Sequence, residues 1–356
     1  MAKQAVLLLA HGTPETVEQI PEYLRNVVSG RPVPQAVVEE IQHRYALIGH
    51  SPLTEITFAQ ARLVEEELNG AGNLAFRLGD EEKDVARVER PAVPVYVGMR
   101  NWRPYIPEVV RKMRADGVEE AVVICMAPQN SRTSVGLYRR AVDAEAGGLQ
   151  IDFTEGWARH PLLADAFAER LRAALAKLRV ELGTDVPVLF TAHSVPTRTV
   201  EAQVEDSASR PGSIDKTGSG RPEAVWPGRG ADPYADEARR TAELVAERVK
   251  EIPEWWFAFQ SQGASGGPWL GPSVEETLDR IASNGVKAVV LQPIGFLCDH
   301  VEILFDVDRH FREYAAKLGI RLERPESLNE SPTLARAVAD LALQALFRLK
   351  EKRGND

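Results

Sequence analysis

The chain has 356 residues, enough for two domains of ordinary size around a full apolar core. Its net charge is −9 and it shows no basic stripe, which argues against a nucleic-acid partner, because phosphate binding needs a basic surface. Its two cysteines, Cys125 and Cys298, sit in or beside apolar runs with no CxxC pair; this excludes a cysteine zinc site or a four-cysteine iron–sulfur cluster and fits a reducing cytoplasm.

Strands are predicted at 5–10, 93–98, 120–127, 150–156, 186–192, 255–260 and 287–294. They are short, apolar on both faces and separated by helical patterns. That pattern predicts an α/β protein with parallel sheets covered on both sides. The first run, "AVLLLA", is too short for a signal-peptide core. No apolar run approaches the length that crosses a bilayer, so a soluble cytoplasmic protein is expected. Residues 201–232 are dominated by Gly, Pro, Ser and charge, which predicts a long mobile surface loop, an insertion or a lid after His193. Its "GSGRP" lacks the Gly-Lys-Ser/Thr ending of a Walker motif. The C-terminal "SPTLARAVADLALQALFRLKEKR" predicts an amphipathic packing helix.

The chain repeats itself. "VLLLAHGTP" (6–14) and "VLFTAHSVP" (188–196) agree at five of nine positions, Val, Leu, Ala, His and Pro. "DGVEEAVVICMAP" (116–128) is echoed by "NGVKAVVLQPIG" (284–295), in the same order within each half. Two similar α/β lobes follow, with His11 and His193 at equivalent strand ends. Ligands of such sheets bind at the C-terminal ends of the strands.

The segment "GFLCDHVEILFDVDRHFRE" (295–313) follows an apolar run and reads as a helix. At about 100° per residue it gathers Asp299, Glu302, Asp306, His310 and Glu313 into one sector of an otherwise apolar surface. A buried helix with such a stripe suggests a wet groove that passes hydrated cations inward or protons outward. Like charges one turn apart repel, so a cation or raised carboxylate pKa values should relieve them. With the lobes facing each other, His193 and Glu302 open into one cleft. Imidazole with carboxylate suits a divalent transition metal, and the missing third and fourth ligands favour transient binding. A satisfied core histidine and a solvated carboxylate face are the competing readings.

At these residues the sequence resembles the ferrochelatases, which insert ferrous iron into a porphyrin. The matching segments are "LLLAHGTP" (7–14), "RYALIGHSPL" (44–53), "MAPQNSRTSVGLY" (126–138), "TAHSVP" (191–196), "DPYADE" (232–237), "PWLGPSVEETL" (268–278) and "PIGFLCDHVEILFDVD" (293–308), in order across nearly the whole chain. The resemblance implies two Rossmann-like lobes, each a parallel sheet flanked by helices, with a porphyrin cleft between them. The expected division is 1–130 for the first lobe, with the C-terminal helix (about 325–356) packing back on it, and 131–324 for the second. His193 and Glu302 are implied as the catalytic pair and metal ligands, with His11 and Asp306 as further candidate ligands.

The resemblance also brings porphyrin donors near the cleft: His11, Ser51, Asn130, Ser131, Arg132, Thr133 and Tyr138, with Arg132 a partner for a propionate and Trp269 or Trp102 packing on the macrocycle. Ferrous iron enters as a substrate, and no permanently bound cofactor is implied. His193 accepts a pyrrole proton or holds the metal; Glu302 steadies it, takes a proton or binds the metal. Three features depart from the family pattern. His11 stands where short relatives acting on coproporphyrin usually have tyrosine, His310 occupies a position often acidic, and the 201–232 loop is longer. Coproporphyrin III and protoporphyrin IX remain open as substrates, with a haem acceptor or the next pathway enzyme as a partner. The alternatives are a cobalt or nickel chelatase and a non-catalytic tetrapyrrole or metal carrier.

Overall fold

The computed structural model describes residues 2–70, 92–200, 231–262 and 268–354. The loop expected at 201–232 falls almost wholly outside them. Two four-stranded, all-parallel sheets form the frame. The first is ordered β2–β1–β3–β4, from β1 (Gln4–Ala10), β2 (Val95–Met99), β3 (Glu120–Cys125) and β4 (Gln150–Thr154). The second is ordered β6–β5–β7–β8, from β5 (Val188–His193), β6 (Trp255–Gln260), β7 (Ala288–Pro293) and β8 (Arg321–Glu323). Counted within each lobe the two orders are the same, so the sequence repeat is a repeat of topology, and β1 and β5 hold equivalent central places.

Helices cover these sheets. In chain order they are α1 (Ile20–Val27), α2 (Gln35–Ile48), α3 (Leu53–Asn69), α4 (Ile106–Ala115), α5 (Val135–Asp143), α6 (Pro161–Leu182), α7 (Thr197–Val200), α8 (Tyr234–Arg248) and α9 (Val274–Ser283). A π-helix (Glu302–Phe311) runs into α10 (Arg312–Lys317), and α11 (Pro332–Gly354) closes the described chain. No helix among the described residues is long and apolar enough to cross a membrane.

Strand alternation divides the core. On β1, Ala5, Leu7 and Leu9 pack against α4 and α5, whereas Val6, Leu8 and Ala10 turn to the opposite face. That opposite face joins Phe190 and Ala192 of β5, Phe167 and Leu171 of α6, Ala238 of α8 and Val338 of α11 in one continuous cluster spanning both sheets. The outer face of the second sheet packs Leu189 and Leu291 on α9 and on Ile303 and Val307 of the π-helix.

β4 pairs with β3 in the register Glu120↔Gln150, so the first sheet continues past residue 150. The turn-rich stretch after β3 is a β–α–β connection through α5 rather than a linker. β8 escapes a pattern reading because it has three residues and a single buried one, Leu322. α11 packs on α3, α6, β3 and β4.

A shared core predicts one unfolding transition. Phe167 is 1% exposed, and Phe167→Ala should cost about 3–5 kcal/mol with tryptophan fluorescence and far-UV circular dichroism still moving together in urea. Two separated transitions would show instead that the lobes fold independently.

Candidate active site

His11 directly follows β1, and His193 is the last residue of β5. Two glycines allow the close approaches around them. Gly12 has φ +77°, and a Cβ there would stand 2.7 Å from Met99 Cβ. A Cβ on Gly295 would stand 3.2 Å from Ala192 Cα, so the turn after β7 can lie flat against the strand that ends in His193.

That turn delivers Glu302 between two imidazoles. His193 Nε2 is 3.2 Å from Glu302 Oε1, and His300 Nε2 is 3.3 Å from Glu302 Oε2. The other nitrogen of each ring faces a backbone carbonyl: Nδ1 of His193 meets Ser194 O, and Nδ1 of His300 meets Cys298 O at 3.0 Å. A carbonyl only accepts, so Nδ1 carries the hydrogen in both rings and both Nε2 atoms turn to the carboxylate. Burial disfavours charge on His193, but the Glu302 charge, its hydrogen bond and the Ser194 carbonyl outweigh burial and raise the imidazole pKa. Burial also opposes ionisation of Glu302, yet His193 and then His300 hold it well below the usual carboxylate range. Phe296 packs its ring 4.5 Å from His300 and 6.2 Å from His193, between centroids.

His11 has the opposite character. Burial, reinforced by the Arg100 guanidinium, pushes its pKa down to about 3 against a small opposing pull from Glu302. Its Nε2 is 2.8 Å from Tyr23 Oη, and the Asn101 amide nitrogen is 3.1 Å from the same atom. At neutral pH His11 is therefore an uncharged imidazole, within the electrostatic reach of the charged His193–Glu302 pair.

The polar stripe resolves into separate parts. The segment expected to wind as an α-helix winds as a π-helix, with i→i+5 hydrogen bonding, a form concentrated at functional sites. Glu302 and Asp306 stay with the site. Asp306 is buried; its Oδ2 accepts from Ser261 Oγ, and its Oδ1 lies 3.2 Å from Arg44 of α2. Burial raises the Asp306 pKa, Glu302 adds to the rise, and Ser261 and Arg44 oppose it. Asp299 lies before the π-helix, tied to Arg324 at 3.2 Å and to Ser327 at 2.7 Å. His310 is exposed and pairs with Glu275 at 3.0 Å, and Glu313 is exposed on α10. The five-residue stripe is thus a two-residue one, with Arg44 set against its second carboxylate. Among the described residues no three His, Cys, Asp or Glu side chains stand so as to hold a metal ion.

A family model described as Ferrochelatase matches residues 3–346. The chain belongs to the ferrochelatase family. A ferrochelatase of Acidobacterium capsulatum is 54% identical over 98% of this chain and 96% of its own length. A coproporphyrin III ferrochelatase of Bacillus subtilis is 30% identical over 97% of this chain and 99% of its own length. Among solved structures, SirB from Bacillus subtilis with Fe3+ has a TM-score of 0.51 at 10% identity, covering 96% of this chain and 95% of that chain, a likeness of fold.

The donors implied by membership of the ferrochelatase family are placed unequally. Ser51 is buried beside Thr13. Asn130, Ser131, Arg132 and Thr133 form the turn after β3; Asn130 Oδ1 is buried without a partner among the described residues, and Ser131 Oγ lies 3.0 Å from Thr133 Oγ1. Tyr138 is buried on α5, with the Arg100 guanidinium 5.6 Å from its ring centroid. Trp269 is half-buried and bridges to Pro196, just past His193. Trp102 packs in the α1–α2 core at 3% exposure, with Tyr23 edge-on at 6.5 Å, so its place is structural.

Sequence reasoning passed over His300, Arg100, Arg44 and Ser261. His300 stands two residues before Glu302 in the segment that drew attention, but no helical spacing links the two, because His300 lies in the turn that precedes the π-helix. Arg100 and Ser261 each follow a strand end, at β2 and β6, the position that made the two histidines candidates.

The charge pair fixes a pH signature. The raised His193 pKa adds stability that is full below the ordinary value of 6.5 and is lost as pH rises through the raised value. The depressed Glu302 pKa adds stability that is full above its ordinary 4.5 and is lost as pH falls through the lowered value. The stability difference between wild type and Glu302→Gln should therefore peak between pH 4.5 and 6.5. The same variant should drop the His193 titration, followed by imidazole NMR, below its wild-type midpoint; an unmoved midpoint would remove Glu302 as the cause.

Proposed function

We propose that this site inserts ferrous iron into coproporphyrin III. Iron insertion into a porphyrin, a step of haem biosynthesis, is the activity that goes with the family, and the chain is a metal chelatase of that kind. The observation that carries the reading is Glu302 held between His193 and His300 within reach of a neutral His11. Insertion replaces two pyrrole protons by a dication, so the site must both attract a cation and accept protons.

The electrostatics suggest an order of events. In the resting site the Glu302 charge keeps His193 protonated, and an imidazolium is not a base. Ferrous iron arriving at Glu302 neutralises the carboxylate and removes what holds the proton on His193, and that proton leaves to solvent. The freed imidazole then takes the two pyrrole protons one after the other, handing the first outward by way of Asp306 before it accepts the second. His11, uncharged throughout the physiological range, would have to exchange its contacts with Tyr23 and Asn101 to offer a lone pair to the metal. Binding energy from the porphyrin periphery supplies the bend that aims a pyrrole nitrogen at the ion.

Coproporphyrin carries propionates where protoporphyrin carries vinyl groups, so it needs more donors at its rim. Arg100 is half-buried and, among the described residues, meets no carboxylate; its contacts are Asn101 Oδ1 at 3.3 Å and the Thr133 carbonyl at 3.2 Å. With Arg132, Ser51, Asn130 and Thr133 it supplies a rim of donors, and the Bacillus subtilis relative is itself a coproporphyrin III ferrochelatase. On this reading the protein is cytoplasmic, iron is a substrate rather than a resident cofactor, and the haem product passes to an acceptor or to the next enzyme.

Anaerobic insertion followed by porphyrin absorbance tests this directly. Coproporphyrin III should turn over faster than protoporphyrin IX, and His193→Ala and Glu302→Gln should each lose about a hundredfold or more, the usual scale for a positioned acid or base. A preference for protoporphyrin would overturn the choice of porphyrin. Insertion of cobalt or nickel without iron would overturn the choice of metal, and tight porphyrin binding without insertion of any metal would indicate a carrier.

A further inference from the structure

The segment "DPYADE" (232–237) lies outside the set of site residues above, yet it touches both sides of the site. Asp232 is 6% exposed and uses both oxygens: Oδ2 accepts the backbone N–H of Arg132 at 2.8 Å, and Oδ1 accepts that of Tyr234 at 3.0 Å. Glu237 Oε2 accepts the backbone N–H of Asn130 at 2.6 Å. One turn further along α8, Thr241 Oγ1 accepts from the side chain of Gln129 at 3.2 Å, and the same Gln129 nitrogen reaches the carbonyl of Ile294, after β7, at 3.2 Å. Tyr234 points the other way, its buried hydroxyl donating to the backbone carbonyl of His193 at 2.9 Å.

We propose that the start of α8 is a positioning element that sets the porphyrin-facing turn 129–133 of the first lobe and the catalytic His193 of the second against one rigid helix. The proposal rests on the iron-chelatase reading of the site and assigns roles to residues that touch neither substrate. Asp232 and Glu237 are positioning residues for the turn, and Tyr234 is one for His193. Alternate backbone N–H groups of the turn, at 130 and 132, are the ones taken by carboxylates. This leaves the intervening Ser131 and the side chains of Asn130 and Thr133 to face elsewhere. The turn is held by its backbone, while Asn130 Oδ1, buried, meets no partner among the described residues. Gly156 shows how tightly the contact is packed: a Cβ there would stand 3.0 Å from Asn130 Cβ and 3.3 Å from Glu237 Oε2.

The test separates a hydrogen-bonded clamp from general destabilisation. Glu237→Ala removes the acceptor, whereas Glu237→Gln keeps an oxygen that accepts the same N–H. Glu237→Ala should raise the porphyrin KM about tenfold, the scale of a lost hydrogen bond to a charged group, with kcat within about twofold. Glu237→Gln should return KM to within about threefold of wild type. Tyr234→Phe should show the converse, a lower kcat at nearly unchanged KM.

Amide exchange of residues 129–133, measured on the porphyrin-free protein, should quicken in Glu237→Ala and recover in Glu237→Gln. Wild-type KM and exchange in Glu237→Ala would overturn the proposal, and so would equal impairment of the Ala and Gln variants. Quickened exchange in a protein whose wild type inserts no iron would uphold the clamp while refuting the chelatase reading.

Discussion

Glu302 carries the arrangement. A half-buried carboxylate without compensation would take up a proton; this one stays ionised because two imidazoles turn their Nε2 atoms toward it. Those rings point inward because the carbonyls of Ser194 and Cys298 claim their other nitrogens. The carbonyls stand where they do because β5 ends at His193 and the turn after β7 lies flat against it. The ionisations of Glu302 and His193 are therefore coupled: the carboxylate raises the imidazole pKa and the imidazole lowers that of the carboxylate.

The two halves of the molecule show how one side chain takes two characters. His11 and His193 close equivalent central strands of sheets with the same strand order. Burial, with a guanidinium beside it, lowers the pKa of one; a carboxylate beside the other raises its pKa. Their mutual placement is not left to a hinge, because the inner faces of both sheets share one apolar cluster running through α6, α8 and α11. Two histidines with oppositely shifted pKa values are thus held at a fixed separation.

The seven longer strands were legible because runs of branched apolar residues bounded by turn residues have few other uses. His193 stood out by its place at a strand end and Glu302 by its place at the start of the helix after an apolar strand, both reinforced by family resemblance, and the structure sets them 3.2 Å apart. β8 was illegible because three residues carry no period. The π-helix was illegible because apolar spacing over ten residues suits either winding, and the difference lies in backbone hydrogen bonding. The stripe was over-read for a related reason. Spacing collects Asp299 and His310 onto one face, but Arg324 and Glu275, distant in sequence, claim them. His300 was missed because a partner two residues away across a turn leaves no periodic trace.

One hydrogen bond at the edge of this arrangement has a further consequence. The N–H of Asp232 reaches the carbonyl of Val200 at 2.9 Å, so the chain departs from the site and re-enters it at a single closed point. Val200 and Asp232 are thereby held to each other at the edge of the site, so a pull on the chain at either point is borne by this bond and by the start of α8 before it reaches His193.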